Sequence, residues 1–289
     1  MGYRFKAGEK SMTEGLRRVA ADEFALIRQR LADKSLPLPR KVHEGRKATK
    51  RLRALIRLVA PVLPDAHDDI AALRAAAGQL SALRDTGALA ETLGRLALPD
   101  TAAASLTEAL ATKPAGGVMA QRRLITAFGA EMEAAALRAE GWTLDREGWD
   151  ALAPGLERTQ RRFRKALDGA RRAEDQDPVH VFRKRAKDHW YHTLLLRRVF
   201  PEVMSGYAAA GEQLCDDLGD WRDLGLLEAA VHGLPAHALS KADAGTALDA
   251  ITKARRRALR RAFRIAGRLA SETPDAYAQR LKDWWKAAR

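Results

Sequence analysis

Cysteine is nearly absent from this chain, where Cys215 stands alone among 289 residues. An intramolecular disulfide is thereby excluded, and such usage suits a reducing compartment. Aromatic residues contribute only 6%, and the basic faces described below are not interleaved with them as in single-strand nucleic-acid binders. No stretch approaches the roughly 18 uncharged apolar residues of a membrane span. Residues 1–10 carry no apolar core of the signal-peptide kind. Lys6 stands where a myristoylated Gly2 would require Ser or Thr. A soluble cytoplasmic protein with no membrane partner is the expectation. Sustained period-two alternation of β-branched residues is missing as well, so no sheet is expected. What the chain has in excess is positive charge: 51 Lys plus Arg against 37 Asp plus Glu, a formal net charge of +14. That balance calls for a polyanion, an acidic lipid surface or an acidic partner.

The cations are patterned. Val42-His43-Glu44-Gly45-Arg46-Lys47-Ala48-Thr49-Lys50-Arg51-Leu52-Arg53 returns 137 residues later as Val179-His180-Val181-Phe182-Arg183-Lys184-Arg185-Ala186-Lys187-Asp188-His189-Trp190, with five of twelve positions identical. Arg84-Asp85-Thr86-Gly87 is echoed by Arg222-Asp223-Leu224-Gly225 at almost the same offset. Two landmarks in the same order indicate an internal duplication. At about 100° per residue, His43, Arg46, Lys47, Lys50, Arg53 and Arg57 share one helical face. Ala48, Leu52, Leu55, Ile56 and Val59 share the other. His180, Arg183, Lys184 and Lys187 reproduce the start of the stripe. A solvated charge face is the bland alternative, but such faces usually mix signs, and Glu44 is the only acid between 41 and 57.

In chain order, Ser11 and Glu14 form a capping box that opens a helix running to about Asp33. The His43 helix lies between Pro39 and Pro61, a third helix is expected from about Asp65 to Leu98, and a short one from Thr101 to Thr112. A further helix covers 118–140. The junction between halves falls at 141–154, with Trp142 and Trp149 marking a packed corner. The second half is expected to hold helices at 154–173, from the Asp177-Pro178 cap to Pro201, at 203–232, at 242–271 and after Pro274. The fold class is all-α: two tandem four-helix bundles related by duplication, spanning about 11–140 and 151–289.

The densest cation run is Lys253 to Arg268. Lys253, Arg257, Arg260, Arg261, Arg264 and Arg268 fall on one face with no acid among them. With the His43 and His180 helices, this suggests an extended positive surface.

The paired His-x-x-Arg-Lys-x-x-Lys motif, the Arg-Asp echoes and the Arg-rich helical repeats resemble the CHAD family (conserved histidine α-helical domain). The resemblance extends from the Tyr3-Arg4-Phe5-Lys6 leader to the last helix. It implies two four-helix bundles related by a pseudo-two-fold, with a basic surface or channel that binds inorganic polyphosphate. It also implies scaffolding or targeting at polyphosphate granules without catalysis and without a cofactor. Members are often fused to a CYTH triphosphatase domain, but no Glu-x-Glu-x-Lys motif occurs here. Carried over by position, the ligand-facing set is His43, Arg46, Lys47, Lys50 and Arg53, with His180, Arg183, Lys184 and Lys187. Lys253, Arg257, Arg260, Arg261, Arg264 and Arg57 extend the basic surface. The second copy departs where Asp188-His189-Trp190 replaces Arg51-Leu52-Arg53.

The chemistry suits that ligand, which offers closely spaced charges and no bases to read; Arg and Lys at helical repeats can grip it, Arg in bidentate fashion. Nucleic acid would then be only a weak polyanion competitor. Two other readings stay open, a phosphate-transfer or polyphosphate-hydrolysing enzyme and a general RNA- or DNA-binding helical protein. His43 and His180 are either ligand-facing or structural. His189 and His192 share a face but lack an evident third metal ligand. Asp85 and Asp223 are read as interhelical salt-bridge partners. Asp216, Asp217, Asp220 and Asp223 form the densest acidic group, the one place from which Mg²⁺ chemistry could be argued.

Overall fold

The computed structural model describes residues 2–6, 9–80, 87–111, 117–173, 176–235 and 237–288, and all regular structure among them is helical. Eleven helices follow one another: α1 (Met12–Ala32), α2 (Leu38–Val59), α3 (Ala66–Gln79), α4 (Gly87–Gly94), α5 (Asp100–Ala109), α6 (Val118–Glu140), α7 (Trp149–Ala173), α8 (Gln176–Leu195), α9 (Pro201–His232), α10 (Lys241–Leu269) and α11 (Pro274–Ala287). Two compact units result. Unit 1 gathers Met1–Arg84, Gly116–Gly211 and Leu269–Arg289; unit 2 gathers Asp85–Ala115 and Glu212–Arg268. Each unit thus draws residues from both halves of the sequence.

In unit 1, α1 packs on α2 and α6, and α3 packs on the same two, so these four helices close a circuit of neighbours. α7 lies against α8 and α11, and α2 also touches both α7 and α8. α2 is therefore enclosed on several sides, which explains why Leu52, Ala54, Leu55, Ile56, Leu58 and Val59 are all fully buried. The contact with α7 is unusually close, because Gly155 sits directly over the Leu58 carbonyl. The N-terminal stretch is not a loose leader. Phe5 is buried and its N–H donates to Leu195 O (2.9 Å), while the Tyr3 hydroxyl donates to Arg51 O (2.7 Å). Ser11 Oγ accepts from the Glu14 N–H (3.0 Å) as a capping residue should, but Glu14 reaches back to the Lys10 N–H (2.9 Å) and not to Ser11.

Unit 2 is held by a leucine-rich cluster that joins Leu93 and Leu106 of α4 and α5 to Leu224, Leu227 and Val231 of α9 and Ala247 and Ile251 of α10. The single helix expected over 65–98 is not formed. α3 ends at Gln79, where the Leu80 N–H turns back to Gly78 O, and α4 stops at Gly94. Glycine disfavours helix continuation at both ends. Arg84-Asp85 lies outside the described residues.

Three prolines mark boundaries differently from expectation. Pro154 lies inside α7, whose start is set by Gly148 at φ 60° and the buried ring of Trp149. α8 begins at Gln176, ahead of the Asp177-Pro178 pair, and Pro201 opens α9, a first-turn place where a missing N–H breaks no helical bond.

Candidate functional site

α2 presents its predicted stripe in unit 1. His43 is exposed; Arg46, Lys47, Lys50, Arg53 and Arg57 are half-buried; Ala48, Leu52, Leu55, Ile56 and Val59 are buried behind them. Desolvation holds the His43 imidazole below its usual pKa, and Arg40, Lys50 and Lys47 add to that against the opposing Glu44. Arg53 is pushed down to about 10, first by desolvation and then by Arg57 and Arg74, with Asp188 opposing. It remains a cation at neutral pH. On α8, His180 and Arg183 are half-buried, Lys184 is exposed, and Lys187 lies 5.5 Å over the Trp190 ring. Arg161, Arg162 and Lys165 of α7 are exposed too.

The departure in the second copy has a structural purpose that sequence reasoning missed. Asp188 is buried and bridges two arginines: Arg57 Nη1 stands 2.8 Å from Oδ1, and Arg185 Nη1 stands 3.3 Å from Oδ2. The first copy thus finds its counter-ion in the second. His189 is buried and stacks on Phe163 with ring centroids 4.8 Å apart. His192 Nε2 donates to Ala54 O at 2.8 Å, which fixes a neutral tautomer with its proton on Nε2. A histidine bonded to a neighbouring helix was considered at His43 and His180; His192 makes such a bond.

Burial lowers both imidazoles, His189 to about 3 and His192 to about 4. In the unfolded chain they protonate near 6.5, so stability is complete above that value and falls as pH drops towards 4. The slope should approach roughly 1 kcal/mol per pH unit for each imidazole. Glu23 and Asp220, whose carboxyls burial raises, oppose it only nearer their own range. Urea unfolding at pH 7, 6 and 5 should therefore show a falling midpoint and an uptake approaching two protons. A midpoint unchanged from pH 7 to 5 would mean these rings are not held neutral.

In unit 2, α10 turns Ile251, Ala258, Leu259, Ala262 and Ala266 inward. Lys253, Arg257, Arg260 and Arg264 are exposed, and among the described residues no carboxylate lies within ion-pair reach of any of them. Arg261 differs from its neighbours in pairing with the buried Asp217 at 2.8 Å. Arg257 and Arg261 line a cleft with Arg95, Thr92 and Asp220. Arg255, outside the predicted stripe, is bonded to Glu228 and lies 4.8 Å over the Trp221 ring.

Three of the four acids in the α9 group pair with arginines. Asp217 goes to Arg261, Asp220 to Arg95 (2.9 Å) and Asp223 to Arg222 (2.9 Å). Asp223 was expected to bridge helices, but its partner is the adjacent residue on its own helix. Among the described residues, no three His, Cys, Asp or Glu side chains gather as a metal-binding group, and no helix is long and apolar enough to cross a membrane.

Compared with known families, residues 12–232 match the CHAD domain. The match ends with α9, so α10 and α11 lie beyond it. No curated protein and no solved structure matches the chain. The matched span covers most of the sequence and includes both copies of the His-x-x-Arg-Lys-x-x-Lys motif, and the chain belongs to the CHAD domain family.

Proposed function

We propose that this protein binds inorganic polyphosphate without turning it over, using the cationic faces of α2, α8 and α10, and that it acts as a scaffold or targeting module at polyphosphate granules. The CHAD family is known for association with polyphosphate. The observation that carries the reading for this chain is the row Lys253, Arg257, Arg260 and Arg264, exposed and without ion-paired carboxylates among the described residues. These positions recur at about one helical turn, so a flexible polyanion can meet successive cations along the helix axis. Such cations are held ready for phosphate oxygens, and binding releases the counterions condensed on the ligand. The arginine pairing of Asp217, Asp220 and Asp223 supports binding over hydrolysis, because those carboxylates already have partners.

A competition between long-chain polyphosphate and single-stranded RNA at two salt concentrations tests the proposal. Near physiological salt, polyphosphate should hold with a Kd below about 1 μM (~8 kcal/mol) while RNA falls away, and no orthophosphate should be released. The fourfold alanine variant at Lys253, Arg257, Arg260 and Arg264 should bind more weakly, with a log–log salt slope shallower by roughly three. Arg261 is left out because its loss would strand the buried Asp217. Equal retention of RNA, or metal-dependent release of phosphate, overturns the proposal.

A further inference from the structure

We propose that the outer face of α6 joins two copies of this chain as an antiparallel, two-fold pair, with Met119 against Leu137 and Arg123 against Glu133 across the contact. α6 spends its inner face within unit 1: it packs on α1 and α3, and Phe128, Met132, Ala135 and Ala139 are buried. The opposite face holds Met119, Arg123, Thr126, Ala130 (halfway along), Glu133 and Leu137; of these, Met119, Arg123, Thr126, Ala130, Glu133 and Leu137 are all exposed. Met119 and Leu137 keep 65% and 68% of their surface, more than any other large hydrophobic among the described residues. Single exposed apolar residues are ordinary, so their placement decides the matter. They are separated by about five turns at 3.6 residues per turn, so both point the same way about 27 Å apart. The six positions step alternately by four and three residues, the spacing of a seam between two helices.

The occupant follows from the symmetry of that seam. Turned end for end about the level of Phe128, the row falls on itself: Met119 meets Leu137, Arg123 meets Glu133 and Thr126 meets Ala130. Each contact is then made twice, as a two-fold interface requires. A parallel pair is disfavoured, because it would set Arg123 on Arg123 and Glu133 on Glu133. Arg28 holds Glu133 in place with two bonds, Nε to Oε1 at 2.8 Å and Nη2 to Oε2 at 2.7 Å. Each oxygen keeps a lone pair for a second donor. Among the described residues, no carboxylate lies within ion-pair reach of Arg123. Thr126 and Ala130 are small enough for the two helices to approach closely at the centre. The pairing is independent of what the cationic faces bind, but it sets two copies of each on one particle, which raises avidity for a long polyanion.

Sedimentation velocity on the full chain, freed of nucleic acid and near physiological salt, reads the mass as concentration rises. One helix face per copy is a small interface, so wild-type protein should pass from 31.8 kDa to twice that mass between about 1 and 100 μM. R123E and E133R should each raise the dimer Kd at least about tenfold. Both positions are exposed, so each variant should melt within a few degrees of wild type. Mixed in equal amounts, R123E and E133R should pair again, because each supplies the charge that the other lost. M119E/L137E should stay single and keep the wild-type melt. A wild-type mass that stays at one chain, R123E or M119E/L137E pairing as wild type does, or a mixture that stays single overturns the proposal.

Discussion

Gly155→Ala should leave little folded protein. A Cβ at that position would stand 1.6 Å from the Leu58 carbonyl oxygen and 2.6 Å from its carbon. Both are backbone atoms, so no rotamer change relieves the overlap, and α7 would have to move away from α2. That movement would open the interface among Leu58, Ala151, Leu152 and Leu156, all fully buried, and would break the bond from Arg158 to Arg57 O. The loss should exceed about 4 kcal/mol, a large part of the whole stability of an ordinary domain. Gly45 makes a useful contrast, because the nearest atom there is a ring carbon of Phe128 at 2.9 Å, and a side chain can shift. Soluble yield and a thermal melt by circular dichroism check the outcome. A Gly155→Ala protein melting within a few degrees of wild type would refute so close a crossing of the two helices.

Asp188→Asn should cost about 3 kcal/mol. The substitution keeps shape and removes only charge, so the loss reports electrostatics and not a cavity. Without the carboxylate, Arg57 and Arg185 face each other and Arg158 with no counter-ion, inside a partly desolvated site. Asp188 itself is buried, while the two arginine side chains keep 20% and 30% of their exposure, which places the effect at the lower end for a broken buried pair. Salt should restore part of the loss by screening the stranded cations. Denaturant midpoints at low and high sodium chloride measure both effects. A loss under about 1 kcal/mol, insensitive to salt, would show that Asp188 is not holding the arginines together.

Much of this was legible from periodicity. α6 occupies the expected 118–140, and the apolar residues assigned to the inner face of α2 are buried as expected. Spacing identifies a face, however, and not what meets it. Nothing in the repeat shows that Asp188 reaches Arg57, because that pairing depends on α2 lying against α8. The same gap explains Arg261, which reads as one more cation of its row until α9 brings Asp217 beneath it. His43 drew attention through its motif, although the deeply buried imidazoles belong to His189 and His192, in the stretch where the repeat breaks down. That breakdown was itself a signal: Arg51-Leu52-Arg53 gave way to an acid, an imidazole and an indole, which had acquired another task. The boundary at Pro201 misled because proline is tolerated in the first turn of a helix as readily as it ends one, whereas Pro154 lies inside α7, where it removes one helical hydrogen bond without ending the helix.

The make-up of unit 2 has a consequence for synthesis of the chain. Leu93 and Leu106 leave the ribosome long before Leu224, Leu227, Val231 and Ile251, the residues that cover them. At about 5–20 residues per second, α4 and α5 wait on the order of ten seconds for their partners. Two short helices of 8 and 10 residues have little stability alone, so their leucines stay exposed to other nascent chains during that interval. A chain interrupted within α9 would therefore release an orphaned leucine-rich segment, so truncation near residue 215 should be more prone to aggregation than truncation just before α4.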